Sequence, residues 1–331
     1  MRIRLPVIVA CILVAGLAPA AGRVLQQGAA FRSTTEVVLV DVLVTRGNTP
    51  VPDLRAEDFE VRDNGQRQKV DLVSLESMPV DLLMALDVSA SLNGQQLERL
   101  KGAARAAVAA LRPIDRAHLL TFSNDVKRGT GWTDDREQIN RAIDALAASG
   151  WTSLFDATFA ALTLPDTPGR RPLLLVFTDG ADTSSWLTAA EVLTIAEQSR
   201  LTVYGVSATA DRPTVTVTQA FGGTSTARTT NLNRELDKVA PARLRERLLS
   251  DPFGFRSLFL RVIVNDTGGE LLHTASAADL RTMFLNVIDR FSRRYLLSYT
   301  PTGVPRAGWH PIEVRLKDGS MKVTARRGYS R

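Results

Sequence analysis

The sequence has few of the side chains that disulfide frameworks and zinc sites require. It contains one cysteine, Cys11, and three histidines in 331 residues. A single cysteine cannot form a disulfide within its own chain, so the folded protein has to depend on its hydrophobic core. The histidines His118, His273 and His310 lie far apart in the sequence, and none belongs to a zinc-binding pair. Gly-x-Ser-x-Gly and glycine-rich phosphate-loop patterns are also missing, which removes the sequence signals of two large enzyme classes.

Charge is not concentrated enough to indicate a nucleic-acid-binding protein. There are 41 Lys and Arg residues against 35 Asp and Glu residues, a formal net charge of +6. The basic residues within 293–294 and 326–331 form no basic stripe interleaved with aromatic side chains, the pattern typical of nucleic-acid surfaces. We therefore interpret them as solvated surface and expect no nucleic-acid partner. Attraction to an anionic envelope component is the alternative.

The amino terminus has the pattern of an export signal. Arg2 and Arg4 precede an apolar run from Leu5 to Leu17, and small residues follow at Ala18-Pro19-Ala20. This order predicts a cleaved signal peptide over residues 1–20. A retained anchor is the less favoured interpretation, because the run is shorter than the roughly 20 residues that a spanning helix needs. We expect an exported protein, periplasmic or secreted, with no membrane span after cleavage.

An acid and two hydroxyls stand at alternate positions directly after an apolar run. The run Val80 to Leu86 predicts a buried strand, and a helix-like segment begins at Gln95. Asp87, Ser89 and Ser91 lie between them, at what would be the carboxyl edge of an α/β sheet, where ligands bind. Carboxylate and hydroxyl oxygens favour a hard cation such as Mg²⁺, Mn²⁺ or Ca²⁺, whereas zinc or copper would recruit histidine or cysteine.

Two later segments bring further oxygens to the same edge. Thr152 lies in the loop 149–153 between two helical patterns, and Asp179 follows the strand-like run Leu173 to Phe177. With these, the chain resembles the von Willebrand factor type A domain family, whose metal-ion-dependent adhesion site has the pattern Asp-x-Ser-x-Ser, a later Thr and a later Asp. The resemblance implies these metal ligands: Asp87, Ser89, Ser91, Thr152 and Asp179.

The sequence segments 153–157 and 178–184 resemble in particular those of the bacterial exported members of this family. The resemblance implies a binding and adhesion module and not an enzyme. In it a divalent cation, Mg²⁺ ahead of Mn²⁺ or Ca²⁺, bridges the domain to an Asp or Glu carboxylate of a protein partner. We expect Trp151 and Asp182 at the rim of the site, with loop orientation as the alternative role of Asp182.

Two other functions stay open on the sequence. One is a structural metal clip in a scaffold, without a carboxylate partner. The less favoured one is a metal-dependent hydrolase with Asp87 as nucleophile. The phosphatase pattern has a second acid two residues later, where this chain has Ser89.

The remaining patterns predict an α/β fold with a small β-sandwich formed by its two ends. Helix and strand patterns alternate over residues 80–297, as in a doubly wound, mostly parallel, Rossmann-like sheet. Residues 31–79, including a predicted strand from Lys69 to Leu75, and residues 298–331 have strand patterns only. Because a few strands are marginally stable alone, we expect these two parts to pair. Residues 209–256 depart from the family pattern and are interpreted as an atypical surface insertion.

Overall fold

The secondary structure follows the alternation of apolar residues along the chain. The computed structural model describes residues 37–73, 78–179, 182–207, 255–273 and 279–331. Its strands are β1 (Val38–Arg46), β2 (Thr49–Pro50), β3 (Phe59–Asp63), β4 (Gln66–Gln68), β5 (Asp71–Val73), β6 (Val80–Asp87), β7 (Arg116–Phe122), β8 (Val126–Arg128), β9 (Arg171–Thr178), β10 (Thr202–Ser207), β11 (Leu271–His273), β12 (Tyr295–Tyr299), β13 (Trp309–Leu316), β14 (Lys322–Ala325) and β15 (Gly328–Ser330). Its α-helices are α1 (Gln95–Ala109), α2 (Arg136–Asp144), α3 (Leu154–Leu162), α4 (Ala189–Ala196), α5 (Phe255–Thr267) and α6 (Leu280–Ser292).

The central sheet has six strands in the order β11-β10-β9-β6-β7-β8. Every pairing in it is parallel except that of β7 with β8. Alternate residues of each strand face opposite layers of helices. In β6, Leu83 and Ala85 pack in the cluster formed with α3, α4 and α5, whereas Leu82 and Met84 pack with α1, α2 and α6. Because both faces are covered, all of β6 is buried, and the sheet is doubly wound.

Strands from the two ends of the described chain form two antiparallel sheets. One sheet has the order β14-β1-β12-β5, with β2 paired to β1, and the other has the order β15-β13-β3-β4. Alternate residues of β1, Val40, Val42 and Val44, lie between the sheets with Phe59 of β3 and Leu297 of β12. This shared apolar layer makes the two sheets a β-sandwich.

The outer face of β1 joins the sandwich to the α/β layers through buried charge. The carboxylate of Asp41 accepts hydrogen bonds from the guanidinium of Arg171 at the start of β9. Arg294, 1% exposed, donates to the Tyr204 hydroxyl at 2.9 Å and to the Asp41 carbonyl at 3.1 Å. The described residues accordingly belong to one compact unit.

The predicted fold class, an α/β doubly wound sheet flanked by a small β-sandwich, is confirmed. Within the predicted strand from Lys69 to Leu75, the structure has the shorter strand β5, Asp71–Val73, and residues 74 and 75 lie outside the described residues. Gln66–Gln68, which was not predicted as a strand, pairs with β3, whereas Asp71–Val73 pairs with β12 in the other sheet. The chain therefore passes from one sheet to the other between these two short strands.

Two predictions concern residues that the structure does not describe. The signal peptide over residues 1–20 lies wholly outside the described residues. The insertion over 209–256 does so up to residue 254, and its last two residues begin α5. Within the described part of the chain, no helix combines the length and apolar character needed to cross a membrane.

His118 on β7 is a buried histidine without a hydrogen-bonding role in the described structure. It is 3% exposed, packs edge-on against Trp132 with ring centroids 5.1 Å apart, and neither of its ring nitrogens has a hydrogen-bond partner there. Burial, with a smaller contribution from Arg128, lowers the pKa of His118 to about 4. The imidazole is therefore neutral in the folded protein at neutral pH.

We expect His118 to weaken the fold in mild acid. In the unfolded chain His118 takes up a proton near pH 6.5, and in the folded chain only near pH 4. The contribution of neutral His118 to the free energy of unfolding is therefore complete above pH 6.5 and is lost as the pH falls towards 4. Between pH 7 and 4.5, the free energy of unfolding measured with urea should fall by about 1–2 kcal/mol more for the wild type than for His118→Leu, a figure discounted for partial solvent screening. Equal losses in the two proteins would contradict this assignment.

Candidate metal centre

Asp87 is the most deeply placed acid at the carboxyl edge of the central sheet. It is the last residue of β6 and is fully buried. One carboxylate oxygen accepts a hydrogen bond from the Ser89 backbone N–H at 2.9 Å, and the other accepts one from the Thr178 hydroxyl at 2.6 Å. Thr178 ends the neighbouring parallel strand β9. Asp87 is thus held by its own loop and by the adjacent strand.

A row of side-chain oxygens continues from this loop towards the next one. The Ser89 and Ser91 hydroxyl oxygens lie 3.0 Å apart, and the Ser91 hydroxyl donates to the Asp179 carboxylate at 2.9 Å. Ser89 is buried and Ser91 is exposed, so the row leads from the sheet edge to the surface. These residues come together because β6 and β9 are neighbouring parallel strands and both end at this edge of the sheet.

The loop that carries Thr152 reaches the same place through backbone hydrogen bonds. Ser149 N–H donates to the Val88 carbonyl at 2.8 Å, and Ala90 N–H donates to the Gly150 carbonyl at 3.0 Å. Gly150 has a φ of +77°, and a Cβ there would meet the side chain of Asn124 at 2.7 Å. Only glycine combines this conformation with this close approach. The turn places the loop of Thr152 beside the loop that carries Ser89, and Thr152 is 6% exposed there.

The oxygen spacing suits a small hard cation. In an octahedral Mg²⁺ shell with bonds of about 2.1 Å, neighbouring oxygens lie about 3.0 Å apart. The oxygen separations of Ser89 to Ser91 and of Ser91 to Asp179 are 3.0 and 2.9 Å. Among the described residues no group of three His, Cys, Asp or Glu is arranged to bind a metal. A cation at this edge would therefore depend on hydroxyl as well as carboxylate oxygens.

Both acids of the row lie in a site that opposes their negative charge. Burial raises the pKa of Asp87, while hydrogen bonds from Thr178 and Ser89 act in the opposite direction and the neighbouring Asp179 adds to the rise. Burial likewise raises the pKa of Asp179, against the hydrogen bond from Ser91. A nearby cation would act in the opposite sense on both carboxyl groups.

Asp182 and Ser185, in the loop that follows β9, cap the amino end of helix α3. Ser153, the residue before α3, makes no side-chain cap of its own. Instead, the Phe155 N–H donates to the Asp182 carboxylate at 3.0 Å and to the Ser185 hydroxyl at 3.1 Å. The Asp182 carboxylate also accepts from the Ser185 hydroxyl and backbone. Burial raises the pKa of Asp182. These contacts position the loop, and the rim role of Asp182 stays a prediction.

The loop after Asp179 also donates backbone hydrogen bonds to α3 and to Thr152. The carboxylate of Asp156, in the first turn of α3, accepts from the backbone N–H groups of Trp186 and Leu187, each at 3.0 Å. The Thr152 carbonyl accepts from the N–H groups of Thr183 and Ser184 at 2.8 and 3.1 Å. The loop after Asp179 is therefore attached to the loop that carries Thr152.

The structure thus brings Asp87, Ser89, Ser91 and Asp179 together through their side chains and adds Thr152 from the adjoining loop. No sequence pattern that predicts the site assigns a role to Thr178, Asn124 or Ser185, which hold these residues. Thr178 stands directly before Asp179, and that adjacency was an available signal. Asn124 and Ser185 carried no signal, because their roles depend on contacts between loops distant in sequence.

Comparison with known proteins identifies the domain that contains these residues. Residues 82–181 match the family model of the von Willebrand factor type A domain. The match starts in β6, ends two residues after Asp179, and includes all five predicted ligands. The chain contains a von Willebrand factor type A domain. This confirms the resemblance seen in the sequence. The match covers the carboxyl ends of β6 and β9 and leaves out the sandwich strands.

The chain is similar at low sequence identity to one curated protein and to several solved structures. The chain is 27% identical over 141 residues to human inter-alpha-trypsin inhibitor heavy chain H6, covering 38% of this chain and 11% of that protein. A von Willebrand factor type A structure from Catenulispora acidiphila has a TM-score of 0.48 at 12% identity and covers 91% of this chain and 74% of that one. Proximal thread matrix protein 1 from the mussel byssus, with a zinc-occupied MIDAS motif, has a TM-score of 0.43 at 15% identity and covers 65% and 48%.

Proposed function

We propose that this chain is an exported protein-binding module, in which a divalent cation at the edge of the von Willebrand factor type A domain bridges to an Asp or Glu carboxylate of a partner. Mg²⁺ is the proposed ion. The observation that carries the proposal is the row of oxygens from Asp87 through Ser89 and Ser91 to Asp179, spaced 3.0 and 2.9 Å apart at its outer links. Ser91 is exposed and Asp179 is half-buried, so a partner can reach the outer part of the row.

The residue types determine what such a site can do. Asp87, Ser89, Ser91, Thr152 and Asp179 would hold the ion, directly or through water. Three of the five donors are neutral hydroxyls, which leave much of the positive charge uncompensated. When bound, the ion supplies an electropositive coordination position for an external oxygen. Asp87 is buried and held by Thr178 and Ser89, so it orients the site from below and leaves the outer side for the partner.

The proposed function is binding and not catalysis. The position two residues after Asp87 is Ser89, whose hydroxyl belongs to the oxygen row and cannot act as an acid of the phosphatase type. Export is part of the proposal and depends on the predicted signal over residues 1–20. The curated relative is matched over 11% of its length, so its partners carry no weight here.

Titration of the chain with Mg²⁺ and Mn²⁺ by calorimetry tests the metal site. We expect saturable binding to the wild type, at least about 100-fold weaker binding to Asp87→Ala, and at least about tenfold weaker binding to Ser89→Ala, because each change removes a donor from the row. Asp144→Ala removes an exposed acid elsewhere and should bind as the wild type does.

Three outcomes separate the alternatives. No saturable binding to the wild type, or binding that both site variants retain, would overturn the proposed metal site. If Mg²⁺ binds and raises the melting temperature but carboxylate-bearing peptides do not bind the loaded protein, the site is a structural clip. Mg²⁺-dependent binding of such peptides would support the bridging function. Circular dichroism of each variant confirms that the fold is retained.

A further inference from the structure

Two of the most exposed large apolar side chains lie beside the candidate metal centre. In the described part of the chain the exposed large hydrophobic residues are Val37, Ile114, Trp151 and Trp186. Trp186 is 94% exposed and Trp151 is 68% exposed. Indole rings are usually placed inside proteins or at interfaces, so two exposed ones on adjoining loops indicate an interaction surface.

The backbone of both tryptophans is held in place. Trp151 N–H donates to the Asn124 side-chain oxygen at 2.7 Å, next to the glycine turn at Gly150. Trp186 N–H donates to the Asp156 carboxylate at 3.0 Å. Neither indole is therefore exposed because its loop lacks structure. Hydrogen-bonded loops present them to solvent, which lowers the entropy that these loops would lose when a partner binds.

Both tryptophans lie close to Thr152 along the backbone of the loops that carry them. Trp151 precedes Thr152 directly, so their Cα atoms are about 3.8 Å apart. The Thr152 carbonyl accepts from the Ser184 N–H at 3.1 Å, and Trp186 follows two residues later. A segment that reached the oxygen row would have these indoles within a few residues of its acidic side chain.

The charges around the site favour an acidic partner. The Asp87 carboxylate is fully buried. The Asp156 carboxylate accepts hydrogen bonds from backbone N–H groups of the loop after Asp179, and the Asp182 carboxylate accepts one from the backbone of α3. The turn that holds Trp151 exposes Asp125, and the strand β8 that follows it exposes Lys127 and Arg128, a net excess of one positive charge. Together with a bound divalent cation these groups give the rim a positive character.

We propose that Trp151 and Trp186 select an extended peptide whose metal-binding Asp or Glu has large apolar side chains within about three residues, a reach of about 10 Å along the segment. This inference rests on the proposed metal-bridging function and adds the partner's sequence chemistry to it. The indoles contact the apolar side chains while the carboxylate completes the metal site.

A displayed library of nine-residue peptides with a central Asp or Glu and random flanks tests the inference, using the full chain loaded with Mg²⁺. The wild type should select peptides with large apolar residues within three positions of the acid. Trp151→Ala and Trp186→Ala should each weaken a selected peptide by at least about tenfold, the effect of removing an interface hot spot. Ile114→Ala, another exposed apolar residue, lies before the amino end of β7 and serves as the matched control, with unchanged affinity.

The outcomes distinguish failure of this inference from failure of the proposed metal-bridging function. A wild type that does not bind Mg²⁺ overturns the proposed function itself. A wild type that binds Mg²⁺ but selects acidic peptides without apolar neighbours, or selects none, overturns only the role of the tryptophans. Tryptophan-dependent binding to a panel of immobilised polysaccharides, with no peptide selected, would assign the indoles to sugar stacking and would also overturn it.

Discussion

Replacement of Gly269 by Ala is expected to prevent normal folding or to lower the free energy of unfolding by about 4 kcal/mol or more. A Cβ at this position would lie 1.8 Å from the Val203 carbonyl oxygen and 2.7 Å from the Val203 carbonyl carbon. Both are backbone atoms of β10, so no side-chain rotation can relieve the contact. The chain must pass this close because Gly269 N–H donates to the Val264 carbonyl and Gly205 N–H donates to the Glu270 carbonyl.

Urea unfolding followed by tryptophan fluorescence measures this effect, with soluble yield as the first indication. Gly102→Ala is the matched control, because Gly102 lies in α1 and a Cβ there meets no atom within 4 Å. Alanine should stabilise this helix position by about 0.5–1 kcal/mol. If Gly269→Ala unfolds at the same urea concentration as the wild type, the close packing of this turn on β10 is wrong.

Replacement of Asp41 by Ala is expected to cost about 3–5 kcal/mol of unfolding free energy. The change removes the carboxylate partner of Arg171, whose side chain is only 3% exposed. The guanidinium would keep its hydrogen bond to the Phe291 carbonyl at 3.1 Å and its position over the Phe291 ring at 4.3 Å, but its charge would be unpaired in a buried site. An uncompensated buried charge is more costly than the loss of the ion pair itself.

Equilibrium urea unfolding of three further proteins isolates the cause. Asp289→Ala breaks an exposed ion pair with Arg293, at 2.7 Å, and should change stability by less than about 0.5 kcal/mol. Combining Asp41→Leu with Arg171→Met removes both charges, and this double variant should recover most of the stability that Asp41→Ala loses. Arg171→Met alone should be less stable than the wild type, since it leaves Asp41 without its ion partner. A double variant as unstable as Asp41→Ala would show that packing and not charge causes the effect.

Period and burial made the α/β elements predictable. The strands that end at Asp87 and Thr178 are apolar over Leu82–Leu86 and Leu173–Phe177, because both faces of the central sheet are covered by helices there. The short strands were less accessible to sequence reasoning. Gln66–Gln68 and Asp71–Val73 lie close together in the chain but pair in different sheets, and no local pattern marks the change.

The candidate site divides in the same way. Its donors stand where strands end, so the types and positions of Asp87, Ser89, Ser91, Thr152 and Asp179 can be selected from the sequence, and their role as ligands stays a prediction. What holds them could not be selected. The hydrogen bond of Thr178 to Asp87 and the capping of α3 by Asp182 and Ser185 join segments that meet only in the folded chain.

By itself, the sequence determined which chemistry is available at the edge of the sheet: oxygen donors without cysteine, and with all three histidines elsewhere in the chain. It also determined the order of helices and strands, because the periodicity of apolar residues is a local property. Only the tertiary structure decided that Trp151 and Trp186 stand exposed on adjoining loops and that Asp41 meets Arg171 across 130 residues. Contacts of that kind depend on how sheets and loops pack, and packing is a property of the whole chain and not of any segment.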